Sequence, residues 1–346
     1  MGHIATASLF AHMPIIRDIV YGAVARGASL EALCAAISIP PEELTQADQR
    51  VDFDQSMMVW EAAVQATRDP LLGLHLGETA SPSILGLVGH LMQSSANLEE
   101  AFLQVVENNA VFTNLFFYRL VKGKNQQVSI VFEAHPLWQR LSPLGARHAT
   151  EQAMAGTVHV FRLLSGKRVV PVQAGFTTAR GGALAEYERA LGCPLRFRSE
   201  TNHLVFTAAQ LQTAVLTYDR SVFCILSEAL ATRKKAKGMA ASKRITARLN
   251  ELVATSFNGF VPAQEVLASH LHLTRRSLQR RLKEEGTTFR KWSAGWQKQL
   301  AMKLLTSGDA KVSEVARLLG YAEASSFRRA YKKWTNQVPA QTRKKA

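Results

Sequence analysis

The sequence predicts an α+β N-terminal domain followed by an all-α C-terminal domain. A length of 346 residues is enough for two domains, and strand-like alternation of apolar residues is confined to the part before about residue 210. The charge is also divided, because residues 233–346 hold 25 Lys and Arg against 7 Asp and Glu, whereas residues 1–232 hold 17 against 20. Excess positive charge in one domain indicates a polyanionic partner, either a nucleic acid or a membrane surface.

The N-terminal domain is predicted to mix helices and strands, with an α/β core at about 70–210. The first 65 or so residues look helical, because apolar residues recur at spacings of three and four. The stretch FFYRLVKGKNQQVSIVFEA predicts a β-hairpin, since apolar residues alternate on both sides of a polar turn at 122–126. Helix signals follow at 145–165 and at ALAEYERAL, which ends at Gly192. Two further strands, in VVPVQAGFTT and HLVF, flank that second helix.

The boundary between the domains is predicted at a basic stretch, ALATRKKAKGMAAS, residues 229–242. Small residues and Lys or Arg replace any apolar periodicity there, which is typical of a solvated linker or a frayed helix end. We therefore expect an N-terminal domain at 1–232, a basic linker at 233–242 and a C-terminal domain at 243–346.

The C-terminal domain contains a repeat of a helix, a turn and a second helix. VLASHLHLTRRSLQRRLKEE, beginning at Val266, aligns with EVARLLGYAEASSFRRAYKKW, beginning at Glu314, with one extra residue in the second turn. The copies occupy about 263–285 and 312–334, and their pattern is typical of the helix-turn-helix, present twice. Between them, FRKWSAGWQKQLAMKLLTSGDAKV predicts a connecting helix whose tryptophans lie in the core.

The second helix of each copy divides into an apolar face and a basic face. Leu278 and Leu282 are four residues apart and are predicted to face the core, as are Phe327 and Tyr331. Outward Arg and Gln side chains on such a helix can reach base edges in the major groove, and Thr274 is placed to cap the first of these helices. Two matched basic helices favour duplex DNA over solvated helix faces or a membrane anchor.

These stretches resemble the AraC/XylS family of bacterial transcription regulators. The most specific is VSEVARLLGYAEASSFRRAYKKWTNQVPAQTR, which is similar to the C-terminal signature of that family. The resemblance and the outward faces together predict two sets of DNA-binding residues. The first helix-turn-helix contributes Thr274, Arg275, Arg276, Gln279, Arg280 and Lys283. The second contributes Ala324, Ser325, Ser326, Arg328, Arg329 and Lys332.

Two positions depart from the family pattern. Gln297 stands where the connecting helix of the family usually has Arg, which leaves open a phosphate or structural contact of that Arg. Asn336 stands where the family usually has Gly in the turn before the closing Pro, and Asn tolerates the left-handed conformation. Because Ala324 and Ser325 are short, the second recognition helix is expected to discriminate bases less than the first.

The N-terminal region is similar to the arabinose-binding-type effector domain in the branch of the family that includes ornithine-utilisation and mycobacterial virulence regulators. The resemblance lies in DPLLGLHLGETASPSILGLVGHLMQSSANLEEAFLQVVE and YERALGCPLRF. It implies an effector-binding or oligomerisation domain over roughly 20–210. The implied partners are double-stranded DNA, a small-molecule effector, a second copy in a homodimer and, for an activator, RNA polymerase.

The sequence contains no motif that indicates an enzyme. Walker, GxGxxG, GxSxG and HExxH motifs are absent from it, so we expect a non-enzyme without cofactor or metal. Its three cysteines are dispersed and are expected to be buried, which excludes the four-cysteine zinc site of the repair domains sometimes fused to such DNA-binding modules. His148 and Glu151 are predicted to be an ordinary pair one helical turn apart.

The pattern as a whole predicts a sequence-specific transcription regulator, an activator controlled by an effector or by dimerisation. No apolar run approaches the roughly 18 residues of a membrane span, and the first residues do not resemble a signal peptide. We therefore expect a cytoplasmic, nucleoid-associated protein. The alternative is an effector-independent, general nucleoid-type DNA-binding protein. A third alternative is an enzymatic N-terminal domain, against which the absence of a catalytic motif argues.

Overall fold

A computed structural model of the chain describes residues 9–123, 125–236, 245–257, 261–271, 273–306, 312–319, 321, 323–335 and 337–339. The described residues divide into two compact units. The N-terminal unit lies within residues 10–238, and the C-terminal unit lies mainly within residues 239–346.

The N-terminal unit is an α+β structure, as the sequence predicts. Its strands are β1 (Phe10–His12), β2 (Arg50–Asp52), β3 (Phe116–Lys122), β4 (Gln127–Ala134), β5 (Gln173–Gly175), β6 (Leu195–Arg196) and β7 (Asn202–Thr207). Its helices are α1 (Met13–Val24), α2 (Leu30–Ala36), α3 (Phe53–Thr67), α4 (Leu72–Gly77), α5 (Leu87–Gln93), α6 (Leu98–Phe112), α7 (Pro136–Leu141), α8 (Pro143–Ser165), α9 (Leu184–Leu191), α10 (Ala208–Leu211) and α11 (Arg220–Ala236). Two 3-10 helices cover Pro41–Thr45 and Pro82–Leu85.

The central sheet has five strands in the order β3-β4-β7-β5-β6. All neighbouring pairs are antiparallel except β5 and β6, which run parallel. The predicted hairpin is confirmed as β3 and β4, with Tyr118 opposite Phe132. Ile130 and Phe132 are fully buried, because the alternating side chains of β4 point into the core.

The long helix α8 is the main support of this unit. Ser142 caps its start by accepting a hydrogen bond from the Gly145 amide, and Gly166 ends it with a φ of 63°. Helix α4 packs closely on α8, because a Cβ atom added at Gly73 would lie 2.0 Å from the His148 carbonyl oxygen. The small residues of the GLHLG stretch therefore allow two helix backbones to approach each other.

Several local features differ from the sequence-based expectation. The N-terminal 65 residues contain the short antiparallel pair β1 and β2 in addition to helices, and β6 follows the turn after Gly192. Cys34 and Cys193 are buried as predicted, whereas Cys224 on α11 is exposed. Residues 233–236, which the sequence places in the linker, form the end of α11. The rest of the predicted linker, 237–242, lies outside the described residues.

The described part of the C-terminal unit is helical. Its helices are α12 (Ile245–Ser256), α13 (Gln264–His270), α14 (Arg275–Glu284), α15 (Phe289–Thr306), α16 (Val312–Leu318) and α17 (Ala324–Thr335). The pairs α13 with α14 and α16 with α17 are the two predicted helix-turn-helix units. Helix α12, which precedes the first pair, packs against α14.

The connecting helix α15 contacts α12 near its start and packs on the second pair near its end. Near its start, Trp292 is buried, and its indole nitrogen donates to the Asn250 side-chain oxygen on α12 over 2.8 Å. Near its end, Leu305 is fully buried in a cluster that also contains Phe327 and Tyr331 of α17. The connecting helix therefore contacts the second pair directly and reaches α12, which packs on α14 of the first pair.

Candidate nucleic-acid interface

The first recognition helix, α14, is anchored by two leucines and one cap. Leu278 and Leu282 are fully buried, as their spacing of four predicts. Thr274 caps the helix, because its hydroxyl oxygen accepts a hydrogen bond from the Ser277 amide over 3.1 Å. These contacts fix which residues of α14 face away from the core.

The outward face of α14 consists of long polar and basic side chains. The predicted DNA-binding residues in this copy are all exposed, namely Thr274, Arg275, Arg276, Gln279, Arg280 and Lys283. Arg281 is exposed as well. The structure therefore brings the predicted residues of the first copy onto one accessible helix.

Some of these side chains already have partners within the chain. Arg275 forms an ion pair of 2.9 Å with Glu265 on α13, and the Arg280 Nε lies 3.7 Å from a carboxylate oxygen of Glu284. All four side chains are more than half exposed, so the pairs compete with water and hold the cations only weakly. Arg276 and Lys283 have no carboxylate partner within the described part of the chain.

The second recognition helix, α17, repeats the same internal anchoring with shorter outward side chains. Phe327 is fully buried and Tyr331 almost so, at the positions that Leu278 and Leu282 occupy in the first copy. Ser325 is exposed and donates a hydrogen bond to the Glu323 carboxylate over 2.9 Å. The start of this helix therefore presents small polar groups where α14 presents arginines.

The remaining predicted residues of the second copy lie along α17 in the expected direction. Arg328, Arg329 and Lys332 are exposed, while Ala324 and Ser326 are half-buried. The Arg329 guanidinium approaches the Ser326 hydroxyl at 3.4 Å. The basic side chains of α17 thus begin one turn further from the helix start than Arg275 and Arg276 do in α14.

One of the two departures from the family pattern has a structural contact. Gln297 on α15 donates from its side-chain amide to the Leu319 carbonyl over 3.4 Å. Leu319 directly follows α16, so Gln297 satisfies a carbonyl at the end of that helix. Asn336 lies outside the described residues.

Glu285 makes a contact that the sequence does not reveal. Its carboxylate accepts hydrogen bonds from the amides of Ile245 and Thr246 and, over 2.6 Å, from the Thr246 hydroxyl. These amides begin α12, where an anion is favoured by the unpaired N–H groups of the helix. The residue after α14 therefore fastens the first recognition helix to α12, forty residues away in sequence. No local signal marks such a long-range cap.

The His148 and Glu151 pair is buried in the N-terminal unit. His148 Nδ1 accepts a hydrogen bond from the Gly73 amide, and burial lowers the pKa of His148 to about 4. Tyr187 donates to Glu151 over 2.5 Å, while burial raises the pKa of Glu151 to about 7. Within the described residues no group of three possible metal ligands occurs. The pair is a hydrogen-bonded part of the core.

The unit has two helix pairs, and the second helix of each pair has a buried apolar face and an exposed basic face. This arrangement defines the chain as a DNA-binding regulator of the helix-turn-helix class. Comparison with known families identifies the family within this class. Residues 27–215 match the arabinose-binding domain of AraC transcription regulators, N-terminal, and residues 267–345 match a helix-turn-helix domain. The chain belongs to the AraC family of transcription regulators.

The chain is also similar to individual regulators. The chain is 27% identical to the ornithine utilization regulator of Pseudomonas aeruginosa, over 92% of this chain and 91% of that protein. It is 26% identical to the regulator VirS of Mycobacterium tuberculosis over 56% of each chain, so it matches about half the length of that relative. The crystal structure of the regulator CdpR from P. aeruginosa aligns over 91% of this chain and 96% of that one, at 25% identity and a TM-score of 0.44.

The family assignment confirms three expectations from the sequence. The chain is a transcription regulator and not an enzyme, with an N-terminal ligand-binding domain and a C-terminal DNA-binding domain. Among the described residues, no helix is long and apolar enough to cross a membrane.

Proposed function

We propose that this regulator binds particular DNA sequences by reading bases chiefly with α14, while α17 chiefly holds the phosphate backbone. The supporting observation is the contrast between two helices with the same buried anchors. Helix α14 exposes Arg275, Arg276 and Gln279 in its first two turns, where α17 has Ala324, Ser325 and Arg328. Long forked side chains near the start of a recognition helix can make two hydrogen bonds to one base, and short ones cannot.

Each group on α14 has a role that follows from its chemistry. Arg276 and Arg280 suit guanine, whose major-groove edge offers two acceptors, and Gln279 suits adenine, which offers a donor and an acceptor. Lys283 is a point charge further along the helix and suits a phosphate. Arg275 reaches DNA only after exchanging the Glu265 carboxylate for a phosphate or a base.

A genome-wide footprint of the full-length protein tests sequence-specific binding. We expect protection at a few discrete sites, since base contacts add to the salt-dependent attraction between Lys or Arg and phosphate. Even coating of the DNA would instead support the alternative, a general nucleoid-type DNA-binding protein. Binding to chromosomal DNA also implies a protein that works at the nucleoid in the cytoplasm.

We further propose that the regulator acts as a homodimer formed through α11. This helix ends the N-terminal unit and exposes Val222 and Ile225, which are three residues apart and 43% and 65% exposed. Leu216, just before the helix, is 71% exposed. A second copy of this surface would cover these apolar side chains and bring two DNA-binding units to adjacent half-sites. The effector domain would then extend to about residue 232, with the DNA-binding domain at 243–346.

The proposed sign of regulation is activation, controlled by a small molecule that binds the N-terminal unit. Support comes from the resemblance to the AraC/XylS family and from the match of residues 27–215 to its ligand-binding domain. Transcription in vitro with purified RNA polymerase tests the sign. We expect more transcript from a promoter with a footprinted site when the regulator is added. A decrease would identify a repressor.

A further inference from the structure

The N-terminal unit contains a large apolar cavity between α8, the sheet and the N-terminal helices. Its volume is about 960 Å³, including the part that opens to solvent. Concave sites with mainly apolar walls are typical of small-molecule binding. The walls are contributed by α1, α3, α5, α6, α7, α8 and β3, together with the 3-10 helix Pro82–Leu85. Because so many elements meet there, an occupant would contact most of the unit.

Small side chains on one face of α8 create the space. Ala149, Ala153 and Thr157 are four residues apart and line the cavity, as does Gly156. These first three are half-buried although α8 crosses the middle of the unit, whereas Met154 and Val158 on the other side of the helix are fully buried. The partial exposure of this face is therefore exposure to the cavity.

The lining carries no charge. Among the residues that form the walls there is no Lys, Arg, Asp or Glu, and apolar or aromatic side chains such as Ile15, Ile19, Phe102 and Val105 dominate. An ionised ligand group placed among them would lose its hydration without gaining a counter-charge. The part of a ligand inside this cavity must therefore be uncharged.

The polar groups of the walls are mostly satisfied by the protein itself. The Gln152 amide nitrogen donates to Asp18 over 2.8 Å. Three wall hydroxyls donate to backbone carbonyls, namely Ser56 to Asp52 (2.6 Å), Thr113 to Phe10 (3.0 Å) and Thr157 to Ala153 (2.7 Å). A ligand with many hydroxyls would find few free donors here.

The Tyr118 hydroxyl is a wall donor that the protein leaves available. The Tyr118 ring packs against Phe102 and Phe132, and its hydroxyl has no hydrogen-bond partner within the described residues. Burial raises the pKa of Tyr118, so the phenol stays protonated and can donate. The Trp138 indole nitrogen also lacks a partner in the described part, but packing buries this atom completely.

We propose that this cavity is the effector site and that it takes an uncharged, mainly apolar molecule with one polar group, which accepts a hydrogen bond from Tyr118. The inference rests on the proposed effector control and adds the chemical class of the effector. Although the matching family is named for arabinose and one relative for ornithine utilization, a sugar needs many polar partners and ornithine is charged. Neither suits these walls.

Ligand binding to the full-length protein tests the proposal directly. The probes are methyl decanoate, which is uncharged and has one ester, its charged counterpart decanoate, and L-arabinose. We expect methyl decanoate to bind and to raise the melting temperature of the N-terminal unit, because it stabilises only the folded state. Decanoate should bind at least tenfold more weakly, and L-arabinose should not bind. Equal or tighter binding of decanoate, or binding of L-arabinose alone, would overturn the proposal.

Three variants locate the site. Ala153→Phe fills the cavity and should abolish methyl decanoate binding, whereas Leu163→Phe, at a position on the same helix that is 53% exposed, should not change it. Tyr118→Phe keeps the ring and should weaken methyl decanoate about fivefold, the effect of about 1 kcal/mol for one hydrogen bond. The same variant should bind naphthalene, which has no acceptor, as well as the wild type does. Unchanged methyl decanoate binding in both Ala153→Phe and Tyr118→Phe would place the ligand elsewhere.

A separate measurement distinguishes this inference from the function on which it rests. Occupancy of a footprinted site is recorded with and without methyl decanoate in the wild type and in Tyr118→Phe. The variants could change methyl decanoate binding as expected while the ligand leaves DNA occupancy unchanged. That result would uphold the cavity and its ligand class, and would overturn only the effector control. Discrete footprints with no binding of any apolar probe would overturn the cavity and its ligand class, and would leave sequence-specific DNA binding in place.

Discussion

At the scale of single residues, the DNA contacts of α14 divide into base-reading and phosphate-binding groups. Arg280→Ala should cost about 1 to 3 kcal/mol of binding free energy on a footprinted site and relax the preference at one base pair. The reason is that its guanidinium, 73% exposed and only loosely paired with Glu284, is free to make two hydrogen bonds to guanine. Fluorescence anisotropy on the site and on its single-base variants measures both effects.

Lys283→Ala is the matched control for that measurement. A phosphate contact carries no sequence information, so affinity should fall alike for the specific site and for random DNA, and the salt dependence should become flatter. If Arg280→Ala also lost affinity equally on both kinds of DNA, Arg280 would be a phosphate contact.

The buried carboxyl of Glu151 makes a second prediction at this scale. Burial raises its pKa to about 7 in the folded state, from about 4.5 in the unfolded chain. Between pH 4.5 and pH 7 the carboxyl is ionised in the unfolded chain but still protonated in the folded one. The free energy of unfolding therefore falls as the pH rises through this range. Glu151→Gln should remove this loss, a relative gain of about 3 kcal/mol at pH 8 compared with pH 4.5.

Urea unfolding of both proteins across this pH range provides the measurement. His148, Arg147 and Tyr187 surround the carboxyl, and the lowered pKa of His148 gives a pH dependence of the opposite sign. The difference between wild type and variant therefore isolates Glu151. Glu188→Gln, at an exposed position of α9, should behave like the wild type. A pH-independent difference for Glu151→Gln would mean that the carboxyl ionises normally when folded.

Sequence patterns predict single residues well where the cause is local. The spacing of Leu278 and Leu282 gives their burial, and the position of Thr274 gives its cap. The environment of Glu151 could not be predicted in this way, because its partner Tyr187 lies 36 residues away on another helix. The cap that Glu285 provides for α12 could not be predicted either, because the two ends of this contact are also distant in sequence.

At the scale of elements, the start of α14 depends on one side chain. Thr274→Ala removes the oxygen that accepts from the Ser277 amide and should destabilise the first turn by about 1 kcal/mol. The amide of Ser277 should then exchange its hydrogen about fivefold faster. Thr274→Ser keeps the oxygen and should exchange like the wild type. Equal exchange in all three proteins would show that the cap does not limit opening of this turn.

Predictability at this scale depends on the length of the element. The hairpin of β3 and β4 has seven and eight residues, enough for the alternation of apolar side chains to be recognised. The strands β1, β2 and β6 have only two or three residues, and a period of two cannot be detected over such a length. These strands form because partners distant in sequence reach them.

At the scale of the whole molecule, the charge division and the repeat predicted the DNA-binding part because both are properties of contiguous sequence. The apolar cavity was not predictable in that way. Its walls come from segments between Ala11 and Phe161, and no single segment shows a binding pattern. The cavity exists because the small residues Ala149 and Ala153 face large residues of other elements. Which residues face each other is known only from the folded structure.

Dimer formation through α11 is the prediction that concerns the molecule as a whole. Ile225→Asp places a charge in the apolar surface of α11, which a partner copy would have to desolvate, so the full-length variant should be monomeric by light scattering. Leu141→Asp, at an apolar residue of α7 that is 52% exposed, is the control and should leave the dimer intact. Because a dimer engages two half-sites at once, Ile225→Asp should also shorten the footprint to one half-site while single-site binding by α14 persists. A dimeric Ile225→Asp protein would assign the interface to another surface, and a monomeric wild type would remove the dimer from the mechanism.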